Sequence, residues 1–257
     1  MTTKLIFFDI DGTLLDNRDY DQSIKERIPL STKRAIQELK NLGHIPVIAT
    51  GRWYGQVSEL LKELEIEYAI CSNGQEIYFC KERIYQNCIN QELINQLYSQ
   101  FKQEKIRIFY DSAQGIYVDS EHQEMVNRGV RPYLLSEHSP APQKVLQLLF
   151  ETPEFEKIKP YLQDLKIIKS SAFTYDVISK GVSKASGIQF LLDYLKISQT
   201  QTLAFGDEEN DLEMFQKVAL SVAMGNAVSF LKKEADFVTK EVWNDGILYA
   251  CQYLKLF

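Results

Sequence analysis

The feature that most narrows the fold is a rhythm in the first 75 residues. The apolar run Leu5-Ile6-Phe7-Phe8, entered from Lys4, reads as a buried central strand. Ala35, Ile36, Leu39 and Leu42 then mark one face of a helix opening at Ser31 and closing at Gly43. Ile45 to Ala49 reads as a second buried strand, and Val57, Leu60, Leu61 and Leu64 line the next helix at i, i+3, i+4, i+7 spacing. Tyr68 to Ser72 gives a third strand, ending in the turn Asn73-Gly74. Strands this continuously apolar must be covered on both faces. Their alternation with helices therefore predicts a parallel sheet with helical crossovers.

The texture changes near residue 76. Glu76 to Phe79 and Ile84 to Asn87 flank the polar turn Lys81-Glu82-Arg83 and read as a β-hairpin. A helix follows with Leu93, Ile94, Leu97 and Phe101 on one side. Strand-like runs come next at Ile106 to Tyr110, Gly115 to Val118, Val145 to Phe150 and Ala172 to Ser179, with helical material around Phe155 to Leu165. Ser139-Pro140-Ala141-Pro142 reads as an internal loop. From Ser183 the first rhythm resumes: a helix through Ile188, Leu191, Leu192 and Leu195, then strands at Thr202 to Phe205, Leu220 to Ala223 and Phe237 to Thr239. The fold expected is α/β: a doubly wound parallel-sheet (Rossmann-like) core, 1–82 plus 182–257, with an α+β insertion at 83–181. The 257 residues suffice for one large domain carrying a smaller one.

Composition excludes several classes. A net charge of −6 lacks the basic face of a nucleic-acid binder, and no apolar stretch reaches membrane-spanning length. Cys71, Cys80, Cys88 and Cys251 form no CxxC pair and no zinc spacing, so they read as reduced structural thiols. MTTKLIFFDI has no signal-peptide core. The expectation is a cytoplasmic protein, monomer or homodimer, with neither nucleic acid nor membrane as a partner.

The chemistry gathers where strands end. Asp9 and Asp11 follow the first strand, Thr50 the second, and Gly206-Asp207-Glu208-Glu209-Asn210-Asp211 the strand at 203–205, while Lys184 starts the helix after the insertion. In an open parallel sheet that edge is where ligands bind. Two close carboxylates repel unless a cation sits between them, and Asp9 beside Asp207 and Asp211 makes a site for a hard divalent cation such as Mg2+. With metal and lysine neutralising a phosphate ester, a carboxylate can attack phosphorus, and a second carboxyl two residues along can move the proton. Thr50 offers a neutral hydroxyl to a phosphoryl oxygen, and Lys184 a positive charge.

Asp9-Ile10-Asp11-Gly12-Thr13-Leu14, Ala49-Thr50-Gly51-Arg52, Lys184 and Gly206 to Asp211 resemble the four ordered motifs of the haloacid dehalogenase-like (HAD) hydrolase superfamily. Ser72-Asn73-Gly74, Ala223-Met224-Gly225-Asn226-Ala227 and Asn244-Asp245-Gly246-Ile247 are similar to its Cof-type (subfamily IIB) phosphatase branch, and 83–181 to that branch's inserted cap. The resemblance spans the chain and implies a Mg2+-dependent phosphatase for a small phosphorylated metabolite, working through an aspartyl phosphate. It implies Asp9 as nucleophile and metal ligand, and Asp11 as acid/base with its backbone carbonyl on the metal. Asp207 would bind the metal, Asp211 would ligate it or orient its waters, and Thr50, Gly51, Lys184 and Asn210 would hold the phosphoryl group. The cap would close over the site and select the substrate.

Three departures from the family pattern stand out: Ala185 where many relatives have glycine, the extra carboxylate Glu208, and a longer loop from Asn17 to Pro29. Other readings stay open. Arg52 could form an ion pair in the core or touch phosphate. Glu208 and Glu209 could serve only the helix dipole, and His44, His122 and His138 read as isolated surface residues. The same chemistry would serve a sugar phosphomutase, and a non-catalytic phosphometabolite-binding protein is the third possibility.

Overall fold

The computed structural model describes residues 3–18, 22–119, 132–136, 138–169 and 173–257. It divides into two compact units, Met1–Ile84 with Ser183–Phe257, and Tyr85–Val182. In chain order the strands are β1 Leu5–Phe8, β2 Ile45–Ala49, β3 Tyr68–Cys71, β4 Glu76–Phe79 and β5 Glu82–Gln86. Then come β6 Phe109–Ser112, β7 Gly115–Val118, β8 Tyr133–Leu134, β9 Val145–Glu151, β10 Leu165–Lys169 and β11 Thr174–Ser179. β12 Thr202–Gly206, β13 Leu220–Ala223 and β14 Phe237–Val238 complete them.

The first unit is built on a sheet ordered β14-β13-β12-β1-β2-β3-β4-β5. Pairing is parallel from β14 to β3, and β4 returns antiparallel on β3. β1 lies between β2 and β12, so successive crossovers leave it in opposite directions. The carboxyl ends of β1 and β12 form the switch point at which such sheets open a crevice. Every residue of β1 is buried, and Phe8 stacks on Phe205 of β12 at 5.0 Å between centroids. Burial of a phenyl ring contributes about 1.5–3 kcal/mol, so these strands hold the switch point rigidly from below.

Crossover helices form as the apolar spacing dictates. Tyr54–Leu64 buries Val57, Leu60, Leu61 and Leu64 and ends at Glu65 in the left-handed region. Lys184–Leu195 is capped by Ser183, whose side chain accepts from the Ser186 amide. The helix expected to open at Ser31 instead spans Leu30–Asn41, with Pro29 at the cap position. Proline fixes the backbone for a helix start and donates no hydrogen bond there, so Ser31 falls within the first turn.

The second unit carries the sheet β10-β11-β9-β6-β7-β8, antiparallel except for the β7–β8 pair. Ile94, Leu97 and Phe101 of the helix Gln91–Gln103 pack in one cluster with Tyr110, Leu148, Phe150 and Val177. Here the sequence reading needs correction. The helical stretch expected to reach Leu165 consists of Phe155–Ile158 and the 3-10 turn Lys159–Leu162, and Leu165 already belongs to β10. The run expected to begin at Ala172 is described only from residue 173, and its strand is Thr174–Ser179. The hairpin turn lies at Cys80 and Lys81, both at positive φ, so Glu82 and Arg83 join β5. His44, read as a surface residue, is buried, and its Nδ1 accepts from the Lys4 amide at 3.2 Å; His122 lies outside the described residues. Among the described residues no helix is long and apolar enough to cross a membrane.

Candidate active site

Asp9 is the first residue past β1, and its amide donates to the Phe205 carbonyl at 3.0 Å, extending the β1–β12 ladder to its edge. The chain then folds back: the amides of Leu14 and Leu15 both donate to the Ile10 carbonyl, and Gly12 takes φ +83°. Asp207 follows β12 directly. Asp211 ends the 3-10 turn Glu209–Asp211, and Lys184 is the first residue of its helix. Three chain segments thus deliver their charges to one crevice.

Oxygens of Asp9, Asp207 and Asp211 all lie within 4.8 Å of one another, and all three residues are buried. Lys184 Nζ donates to Asp9 Oδ1 at 2.6 Å and to Asp211 Oδ1 at 2.7 Å, with the lysine only 2% exposed. Asp211 Oδ2 accepts from the amides of Asp207, at 2.9 Å, and Glu208, at 3.1 Å. Asp207 Oδ1 accepts from Thr13 Oγ1 at 2.9 Å. Among the described residues, Asp9 Oδ2 accepts no hydrogen bond.

The electrostatics follow. Burial, opposed by Lys184 and reinforced by Asp211, pushes the Asp9 carboxyl up to about 7. Burial, with Asp9 and Asp211 beside it, pushes Asp207 up to about 9. Burial and Asp211 also raise Glu208. Burial alone would lower Lys184; the carboxylates of Asp211 and Asp9 outweigh it and raise its affinity for a proton. One lysine cannot balance three ionised carboxylates, so Asp9 and Asp207 hold their protons more tightly than usual, and a divalent cation is what would let all three ionise together. The donors are all hard oxygens, the set Mg2+ takes. The backbone makes room for them as well. A Cβ on Gly12 would overlap the Asp207 carboxylate, and one on Gly206 would overlap that of Asp211. These residues fit the metal.

Asp11 is placed apart from this trio. Arg52 Nε donates to Asp11 Oδ2 at 2.8 Å and Arg52 Nη2 to Oδ1 at 2.6 Å, a two-point clamp. Arg27 Nη2 stands 3.9 Å from the same Oδ1. The Asp11 side chain is therefore directed to arginines rather than to the acid cluster. Thr50 is buried just past β2, and its hydroxyl accepts from the Arg52 amide at 3.1 Å, closing a tight turn across Gly51. Asn210 Oδ1 is buried and has no hydrogen-bond partner among the described residues.

The sequence reading gave no role to Thr13, Arg27 or Asn226, all of which bond to this machinery. Thr13 sits inside a motif already singled out, so its position was a usable signal. Arg27 was hidden in the long loop from Asn17 to Pro29, yet it is 7% exposed, with Nε on the Asp16 carbonyl and Nη2 on Asn17 Oδ1.

Comparison with known proteins gives a uniform picture. A family model described as haloacid dehalogenase-like hydrolase matches residues 6–251. The Bacillus subtilis protein YkrA, which carries a provisional phosphatase name, is 36% identical over 100% of this chain and 99% of its own. A second B. subtilis protein, the 5-amino-6-(5-phospho-D-ribitylamino)uracil phosphatase YcsE, is 25% identical over 98% of this chain and 96% of its own. Among solved structures, the HAD subclass IIB sugar phosphatase BT4131 superposes with a TM-score of 0.85 at 29% identity, covering 99% of this chain and 100% of that one.

Proposed function

Since the chain belongs to the haloacid dehalogenase-like hydrolase family and is a phosphatase, we propose that it hydrolyses small phosphorylated metabolites with Mg2+, through an aspartyl phosphate on Asp9. The observation that carries this reading is the buried Lys184 bridging Asp9 and Asp211, with Asp207 in the same cluster at the switch point.

Asp9 and Asp207 would hold Mg2+ through their carboxylates and Asp11 through its backbone carbonyl, while Asp211, both of whose oxygens already accept hydrogen bonds, orients the cluster. Bound there, the metal supplies positive charge against the phosphoryl oxygens. Lys184 ties down Oδ1 of Asp9 and leaves Oδ2 for attack. That oxygen bonds to phosphorus as the bond to the leaving oxygen breaks, and Asp11 gives the leaving oxygen a proton. Asp11, now a carboxylate, takes a proton from water; the water oxygen bonds to phosphorus, the Asp9–phosphorus bond breaks, and inorganic phosphate departs. Thr50, Gly51, Lys184 and the side-chain NH2 of Asn210 would hold the phosphoryl group during both displacements.

The substrate class is a phosphorylated polyhydroxy compound. This is supported by the sugar phosphatase among the structural neighbours and the phospho-ribityl substrate in the name of a full-length relative. Residues 85–182, the second unit, would select among such compounds.

The test is hydrolysis of p-nitrophenyl phosphate, and then of a sugar phosphate panel, with Mg2+, with EDTA, and by Asp9→Asn. Turnover that requires metal and vanishes in Asp9→Asn is the expected result. Turnover that survives either control overturns the mechanism, and no turnover on any ester overturns the function.

A further inference from the structure

We infer that Asn226 is a positioning residue for the acid cluster, a strut that sets the loop bearing Asp9 against the loop bearing Asp207. The inference rests on the reading of that cluster as a Mg2+ site. Asn226 lies just past β13, in Met224-Gly225-Asn226-Ala227, and touches none of the three carboxylates. Its Nδ2 donates to the Gly12 carbonyl at 2.8 Å, and its Oδ1 accepts from the Val242 amide at 2.9 Å. The two partners settle which way the amide faces, since a carbonyl requires the NH2 and an N–H requires the oxygen.

What Asn226 holds matters because Gly12 is the pivot of the Asp9 loop. The Gly12 backbone runs so close to Asp207 that a Cβ there would overlap its carboxylate. The next residue, Thr13, hydrogen-bonds Asp207 Oδ1. A shift of the Gly12 peptide therefore moves both the turn after Asp9 and the orientation of Asp207. The same short loop grips the other side: the Val228 amide donates to the Asp207 carbonyl at 2.9 Å, and the Met224 amide to Gly206 at 3.0 Å. Five residues thus reach both acid-bearing loops, one through the Asn226 side chain and the other through backbone.

The strut is anchored from behind. The Gly225 amide donates to the Lys240 carbonyl at 2.9 Å, and a Cβ at Gly225 would strike the Lys240–Glu241 backbone. A Cβ at Gly246 would strike the Lys240 carbonyl from the other side, and Thr239 Oγ1 donates to the Gly246 carbonyl at 2.6 Å. Val242, Lys240 and the Asn244-Asp245-Gly246 turn form the abutment against which Asn226 bears. These two sequence motifs carry no catalytic group, and their glycines and asparagine are explained by this support.

The experiment is calorimetric titration of the full-length protein with MgCl2, without substrate, for wild type, Asn226→Asp and Asn226→Ala. Asn226→Asp keeps the shape but sets an oxygen against the Gly12 carbonyl; Asn226→Ala removes both bonds. Removing support behind metal ligands typically weakens binding about 10- to 100-fold, the loss expected in each folded variant. Gln37→Ala, which removes only an exposed bond to Asn41 at 3.0 Å on a helix outside the strut, should retain wild-type affinity. Unchanged Mg2+ affinity in either folded Asn226 variant overturns the inference. A wild type that binds no Mg2+ overturns the metal reading itself, a separate failure. Hydrogen exchange of the wild type supplies a check that needs no variant. Mg2+ should slow exchange of the Val242 amide, which has no contact with the cluster, and an unchanged rate there would sink the strut.

Discussion

Arg52 grips both carboxylate oxygens of Asp11, at 2.8 and 2.6 Å, and so decides where the second aspartate of the first motif points. The residue two positions from the nucleophile is thereby kept out of the buried acid cluster and in a half-exposed position. In the proposed mechanism that is where a group exchanging protons with a leaving group and with water belongs. Arg52→Ala should lower kcat by about 10²-fold, the cost of a misaimed catalytic group. Because the pair is partly exposed, with side chains 24% and 39% accessible, folding stability should change by less than about 1 kcal/mol. Steady-state kinetics beside a urea melt separates the two, and a stability loss without a kinetic loss would make Arg52 a purely structural residue.

Lys184 should behave in the opposite way, affecting both. It is buried and bonded to two carboxylates, so Lys184→Met strands negative charge in a desolvated crevice. Breaking a buried pair from one side costs about 3–5 kcal/mol. The variant should therefore lose about that much stability near neutral pH without metal, as well as its turnover. A urea-denaturation midpoint equal to wild type would show that Lys184 forms no stabilising ion pair with Asp9 and Asp211.

The pH dependence has a definite sign. Burial raises Asp9 to about 7 and Asp207 to about 9, above the range of an unfolded chain, so between those limits the folded protein binds more protons than the unfolded one. The contribution of these two carboxyls to stability is full below their ordinary value of 3.8 and is lost as pH rises from there through about 7 for Asp9 and about 9 for Asp207. Mg2+, which binds the ionised form, should restore it, with a stabilisation that grows as pH rises. Melting temperatures at pH 5.5, 7 and 9 (roughly spanning the two shifted values), with EDTA and with Mg2+, check this. A metal-free protein that gains stability over that window would contradict the raised proton affinity of Asp9 and Asp207.

Gly12→Ala tests the cradle. The new methyl would meet the Asp207 carboxylate, at a position whose φ of +83° already disfavours a side chain. A strain of about 1–3 kcal/mol is expected, with Mg2+ affinity weakened at least about tenfold. Gly43→Ala, also at positive φ but with open space around it, should show strain without loss of metal binding.

How much of this was legible beforehand depends on how locally each feature is encoded. β1, β2, β3 and β12 were readable because strands buried on both faces must be largely apolar, and Phe7 and Ala204 are fully buried within them. The acids were readable because charge at the end of such a strand has few structural uses. Arg27 was not, since its burial depends on Asp16 and Asn17 folding back over it, which composition does not show. β10 was missed because Leu-Lys-Ile-Ile-Lys has no alternation of its own; its pairing with β11 makes it a strand. Asn226 was quoted within a motif without a role, because its partners lie 214 and 16 residues away along the chain.

The most direct test of the central claim is to catch the phosphoryl group on the enzyme. The protein is mixed with an intact phosphomonoester that it turns over and with Mg2+, quenched within the first turnover and treated with borohydride. This reduces an aspartyl phosphate to homoserine, which peptide mass spectrometry locates. Homoserine at Asp9, absent without substrate and absent in Asp9→Asn, is the expected result. Its absence under conditions of full turnover, or its appearance at Asp11, Asp207 or Asp211 instead, would contradict the assignment of Asp9 as nucleophile.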